Sequence, residues 1–218
     1  MSSEEAVTVA GQSGRLWHRP SGGKIGALVL HPHPHMGGDM YNPVVEAVLG
    51  ELKRRDIVAA TLRFQFGHNL SESLREATAA LELLQSQVGV QELVCVGYSY
   101  GAAVLAKLLT ETECSLSGAS LIAPPLEMGF DYKLPTLSQH VDAGLALRLV
   151  AGTDDEYCSE ASLRGVHRDL LNLCNVASTR QPSLRIIEGA DHFFNSRKHL
   201  EEVSAAALEV VQAPRAPL

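Results

Sequence analysis

The 218-residue chain has no C-x-x-C pair, no block of basic residues and no apolar run approaching the ~18 residues of a membrane-crossing helix. Each absence removes a class of function. Cys95, Cys114, Cys158 and Cys174 lack the spacing of a zinc or redox motif, and a chain of this size needs no disulfide framework for its core, so they read as reduced thiols. The longest cationic stretch is Lys53-Arg54-Arg55 and the formal charge is −7, which leaves nothing to track a phosphate backbone. Nucleic acid is therefore not an expected partner. The N-terminal stretch carries Glu4 and Glu5 where a secretory signal has cations and an apolar segment, and residues 213–218 match no targeting ending. These features lead us to expect a cytoplasmic protein with no membrane association. Internal repeats, low-complexity blocks and Gly/Ser linkers are also missing, so residues 1–218 are expected to form one domain with 213–218 as a short solvated tail.

Against these absences stands a composition of 45% hydrophobic and 20% charged residues, enough to build a sizeable core. Residues 6–10 and 15–18 read as an antiparallel opening hairpin with 11–14 as its turn. Apolar runs then recur at 27–30, 58–62, 93–96, 119–123, 145–150 and 184–187. They do not alternate with polar residues, which suits parallel strands buried on both faces. Helical periods lie between them. Asn42 and Pro43 fit an N-cap and first helical position, and Ser73 with Glu76 has capping-box spacing. Further helices are expected near 102–109, 159–173 and 197–211. Alternating strands and helices predict an α/β fold with a mostly parallel sheet and helices on both faces, and place function at the carboxyl ends of the strands.

One such strand end carries Gly97-Tyr98-Ser99-Tyr100-Gly101, a G-x-S-x-G between an expected strand and an expected helix. A serine on that turn has an exposed hydroxyl, but at neutral pH it is a weak nucleophile and needs a base together with a group to orient the base. The later strand ends supply both: 145–151 runs into Gly152-Thr153-Asp154-Asp155, and 184–187 runs into Glu188-Gly189-Ala190-Asp191-His192. Asp154 and Asp155 both compete for the acid position, whereas Asp191, adjacent to His192, reads as a turn residue. Met36, Phe66, Phe130, Tyr132, Tyr157 and Phe193 follow strand ends on the same side and are candidate apolar walls for a substrate. His31, His33 and His35, with Asp39 nearby, offer a rival metal site, but alternate residues of an extended segment face opposite sides and disfavour it.

The serine turn, the order Ser99, Asp155, His192 and the segment His31-Pro32-His33-Pro34-His35-Met36-Gly37-Gly38 together resemble small serine esterases of the α/β-hydrolase superfamily, the dienelactone-hydrolase-like or bacterial-esterase-like group. The resemblance runs from about residue 22 to residue 211. It implies an α/β-hydrolase fold with a minimal lid, since only about 20 residues separate the strands ending near 123 and starting near 145. It selects Asp155 as the acid, three residues after Gly152, and assigns the oxyanion donors to the backbone N–H groups of Tyr100 and His33, with His35 or Met36 as rivals to His33. Dienelactone hydrolases carry cysteine where this chain has Ser99. The implied activity is carboxylesterase-like hydrolysis of a small-molecule ester of short to medium acyl chain through an acyl-enzyme, with no cofactor and no metal. A thioesterase, a small peptidase, or a hydrolase-fold binding protein would share these features.

Overall fold

A computed structural model describes residues 4–19, 21–67, 69–175, 178 and 180–212. Eight strands form one sheet in the order β1-β2-β4-β3-β5-β6-β7-β8. The opening hairpin pairs β1 (Glu4–Val9) with β2 (Gln12–His18), and β2 runs antiparallel to β4 (Val58–Phe64). Its turn is shorter than expected: Ala10 and Gly11 alone make it, both at positive φ, the two-residue geometry that matches the twist of paired strands. The remaining strands are parallel: β3 (Ile25–Leu30), β5 (Glu92–Tyr98), β6 (Gly118–Ile122), β7 (Ala146–Gly152) and β8 (Ser183–Ile187).

Every residue of β3 is buried, and its side chains divide between two cores. Leu28 and Leu30 join Leu62, Leu84 and Leu105 on one face, while Ala27 and Val29 join Val48, Leu52 and Val203 on the other. Period-2 geometry explains the division, and it is why these strands show no polar alternation. Helices α1 (Pro43–Arg54) and α6 (Arg197–Ala207) cover the second face. The first is covered by α2 (Leu70–Gln87), α3 (Tyr100–Glu111), α4 (Leu134–Asp142) and α5 (Glu160–Leu173).

The helices depart from the sequence reading chiefly at three places. The second helix starts at Leu70, capped by Asn69, whose Oδ1 accepts from Glu72 N–H at 2.9 Å. Ser73 and Glu76 therefore sit inside α2 and point to other partners: Ser73 Oγ lies 3.1 Å from the Tyr100 hydroxyl, and Glu76 accepts from Gly67 N–H and Gln12 Nε2. The last helical stretch breaks at Leu208 into α6 and the short α7 (Glu209–Gln212). Helix α4, unread in the sequence, occupies the region where a lid would be; it packs against α3 and α5, with Leu137 and Val141 buried in the core. Among the described residues, no lid covers the sheet ends. The expected tail 213–218 lies outside the described residues. Among the described residues, no helix is long and apolar enough to cross a membrane.

Candidate active site

Ser99 stands between β5 and α3 at φ 55° and ψ −117°, a conformation that side chains other than glycine's seldom adopt. The turn is tight enough to exclude a Cβ on either flank. At Gly97 that carbon would lie 2.3 Å from Gly101 O, and at Gly101 it would lie 2.4 Å from Leu30 O. The glycines thus allow α3 to start against the end of β3, which brings the serine turn beside the 31–38 loop.

His192 Nε2 lies 2.9 Å from Ser99 Oγ, and its Nδ1 lies 2.9 and 3.0 Å from the two carboxylate oxygens of Asp155. A carboxylate can only accept, so Nδ1 carries the proton and Nε2 is free to accept from the serine hydroxyl. The Asp155 side chain is fully buried, and its Oδ1 also accepts from the N–H groups of Tyr157 and Cys158, both at 2.9 Å. Asp154 is exposed and its Oδ1 accepts from the Thr153 hydroxyl, away from the histidine. Asp191 takes the turn role, accepting from Phe193 N–H and Asn195 Nδ2.

Two contacts position the histidine loop that the sequence reading did not identify. The Tyr98 hydroxyl donates to the His192 carbonyl at 2.8 Å, tying that loop to the strand that carries Ser99; burial raises the pKa of this phenol, so it stays protonated. On the other side, a Cβ at Gly152 would meet Ala190 O at 1.9 Å, so only glycine lets β7 and the histidine loop lie this close.

The 31–38 loop is held by its own hydrogen bonds. His31 is buried and accepts at Nε2 from Phe66 N–H at 2.8 Å, so its proton is on Nδ1, 2.6 Å from Pro32 O. Desolvation lowers its pKa to about 4, which keeps it neutral. With both ring nitrogens engaged by backbone, His31 cannot share a metal with His33 and His35. His35 N–H donates to His33 Nδ1 and Met36 N–H to His33 O, which removes both rivals as free donors. Among the described residues, the N–H groups of His33 and Tyr100 enter no intramolecular hydrogen bond. Their side-chain rings pack with centroids 4.5 Å apart.

A cavity of about 190 Å³ opens at Ser99 and His192. Its walls are Pro32, His33, Met36, Gly37, Gly38 and Asn42 from the first loop, Tyr98, Pro125 and Met128 from strand ends and the loop after β6, and Tyr157 and Phe193 beside the histidine. Of the six wall residues expected from sequence, Met36, Tyr157 and Phe193 are there. Phe66, Phe130 and Tyr132 are not among them. Phe66 packs in the core against Phe64, Tyr100 and His31, Tyr132 is buried in the same cluster, and Phe130 packs onto it. Following a strand end brought all six to one side of the sheet, but packing turned these three inward. Pro125 and Met128 were missed because they sit in a loop without a motif.

No protein-family model matches the chain. Among solved structures, it superposes on the lidless α/β serine hydrolase XC6422 of Xanthomonas campestris with a TM-score of 0.72, 21% identity, and 99% and 97% of the two chains covered. The fold is that of the α/β-hydrolases. Dienelactone hydrolase of Anabaena variabilis shares this α/β-hydrolase fold at a TM-score of 0.73 and 17% identity, with 99% of each chain covered. An α/β serine hydrolase homologue from Coxiella burnetii gives 0.72 and 18%, with 97% of each covered. The uncharacterized protein RP471 of Rickettsia prowazekii is 30% identical over 190 residues, 83% of this chain and 75% of its own length. The chain belongs to the same family as RP471.

Proposed function

We propose that the protein is a serine hydrolase that cleaves carboxylic esters with short to medium acyl groups. The observation that carries this reading is the continuous chain from Ser99 Oγ through His192 to the buried Asp155, with each link at 2.9 to 3.0 Å. In this reading Ser99 Oγ attacks the ester carbonyl while His192 Nε2 takes its proton, and Asp155 stabilises the imidazolium that forms. The N–H groups of His33 and Tyr100 receive the negative charge on the carbonyl oxygen, which develops only in the transition state and is therefore a target for rate acceleration. His192 returns the proton to the departing alcohol, leaving an acyl group on Ser99. It then draws a proton from water, which attacks the acyl carbon, and returns that proton to Ser99 Oγ as the acyl–Oγ bond breaks and the acid leaves.

Replacing Ser99 by alanine is the direct test. Hydrolysis of 4-nitrophenyl butyrate is expected to fall by at least ~10⁴-fold, and labelling by a fluorophosphonate probe to disappear. The circular dichroism spectrum should be unchanged, because one hydroxyl at a half-buried turn contributes little packing. Near-native turnover in Ser99→Ala would remove this serine from the mechanism.

A further inference from the structure

The ionic character of the cavity narrows the substrate class, on the premise that the site is the esterase proposed above. None of the thirteen described lining residues is Asp, Glu, Lys or Arg. The charged residues directly adjacent to a lining residue in the chain are Asp39, Glu127, Glu156 and Asp191, and all four are acidic. Three of these are fixed by hydrogen bonds. Asp39 Oδ1 accepts from Tyr41 N–H, Asp191 from Phe193 N–H and Asn195, and Glu127 from the hydroxyls of Ser162 and Ser159 at 2.7 and 2.8 Å. The serine hydroxyls hold the Glu127 carboxyl below its ordinary pKa, so it is ionised at neutral pH. A further carboxylate, Asp155, lies behind His192. Around the mouth, Met36, Met128 and Phe193 are each more than half exposed and present apolar surface.

We infer that the site takes esters that carry no negative charge on the acyl or alcohol side of the scissile bond, and that it rejects carboxylate-bearing esters. An anionic group entering this cavity would lose hydration without a cationic partner. The charged groups nearest the lining along the chain, and Asp155 behind His192, are carboxylates and would add repulsion rather than relief. The same surroundings give a neutral apolar group Met36, Met128 and Phe193 to pack against.

The experiment compares two acyl groups of equal backbone length, mono-4-nitrophenyl glutarate and 4-nitrophenyl methyl glutarate, by release of 4-nitrophenolate. We expect kcat/KM for the anionic ester to be lower by ~100-fold, and raising NaCl to about 1 M to close only a minor part of that gap, because salt screens the neighbouring carboxylates but does not restore hydration inside the cavity. Met128→Arg, which places a cation at the mouth, is expected to narrow the ratio of the two substrates, each variant being its own control. A wild-type ratio under ~10 would overturn the inference while leaving the esterase reading intact. Failure to turn over either ester, together with no labelling of Ser99, would overturn both.

Discussion

Asp154 and Asp155 are neighbours with the same side-chain chemistry and opposite surroundings. Asp154 is in water beside a threonine hydroxyl, whereas Asp155 is sealed from solvent, bonded to two backbone N–H groups and to His192. Converting Asp155 to asparagine would replace one acceptor oxygen by a donor, disfavour the Nδ1–H tautomer and remove the charge opposite the imidazolium. Asp155→Asn is expected to reduce kcat by ~10³- to 10⁴-fold, and Asp154→Asn to change it by less than ~3-fold. Steady-state kinetics on 4-nitrophenyl butyrate checks the ranking; a larger loss at Asp154 would reassign the acid. The sequence held both residues as candidates, and resemblance favoured the second. What separated them physically is the direction the chain takes after Gly152, where close approach to Ala190 turns residue 154 outward and residue 155 toward His192.

At the scale of elements, the ends of β3 and β4 are joined by the imidazole of His31, which bridges Phe66 N–H and Pro32 O. This bridge requires the neutral ring. Burial lowers the folded pKa to about 4 from an ordinary 6.5, so between these values the unfolded chain binds a proton that the folded one does not. Stability from this group is fully present above pH 6.5 and is lost as pH falls toward 4, an effect of about 3 kcal/mol. Urea unfolding at several pH values is expected to show a midpoint that declines across this window. In His31→Gln the decline should be shallower by about one proton, on top of a loss of about 1–3 kcal/mol at pH 7 from the altered bridge. An identical pH slope in the two proteins would show that His31 does not titrate in this range. The histidine-rich segment reads in sequence as a loop with a functional role; the strand-joining role of His31 depends on Phe66, 35 residues away, and no local pattern announces it.

For the whole molecule, the decisive feature is that the cavity stays open. The segment between β6 and β7 supplies Pro125 and Met128 to the wall and then returns to the core as α4, so among the described residues nothing encloses a long acyl chain. A cavity of about 190 Å³ is smaller than most drug-sized ligand sites, and each further methylene contributes its ~0.8 kcal/mol only while it is being removed from water. Across 4-nitrophenyl esters, kcat/KM is expected to peak at about two to eight acyl carbons and to show no rise when the substrate forms micelles. A rate that continues to increase through palmitate would show that a cover forms over the site.

Local chemistry was sufficient to read much of this protein. The unalternating apolar runs specify buried parallel strands, the two-residue periodicity divides them between two cores, and G-x-S-x-G marks the strand-to-helix turn at Ser99, because these signals depend on near neighbours in the chain. Other features required the tertiary structure. Asn69 rather than Ser73 caps α2 because Ser73 and Glu76 find partners at Tyr100, Gly67 and Gln12. Phe66 left the cavity for the core because its ring packs against Phe64 and Tyr100, and Tyr132 because it is buried in the same apolar cluster, and in both burial outweighs position after a strand end. The Tyr98 hydroxyl meets the His192 carbonyl across 94 residues of chain, a separation at which sequence spacing carries no information and only the packing of β5 against the histidine loop brings the groups together.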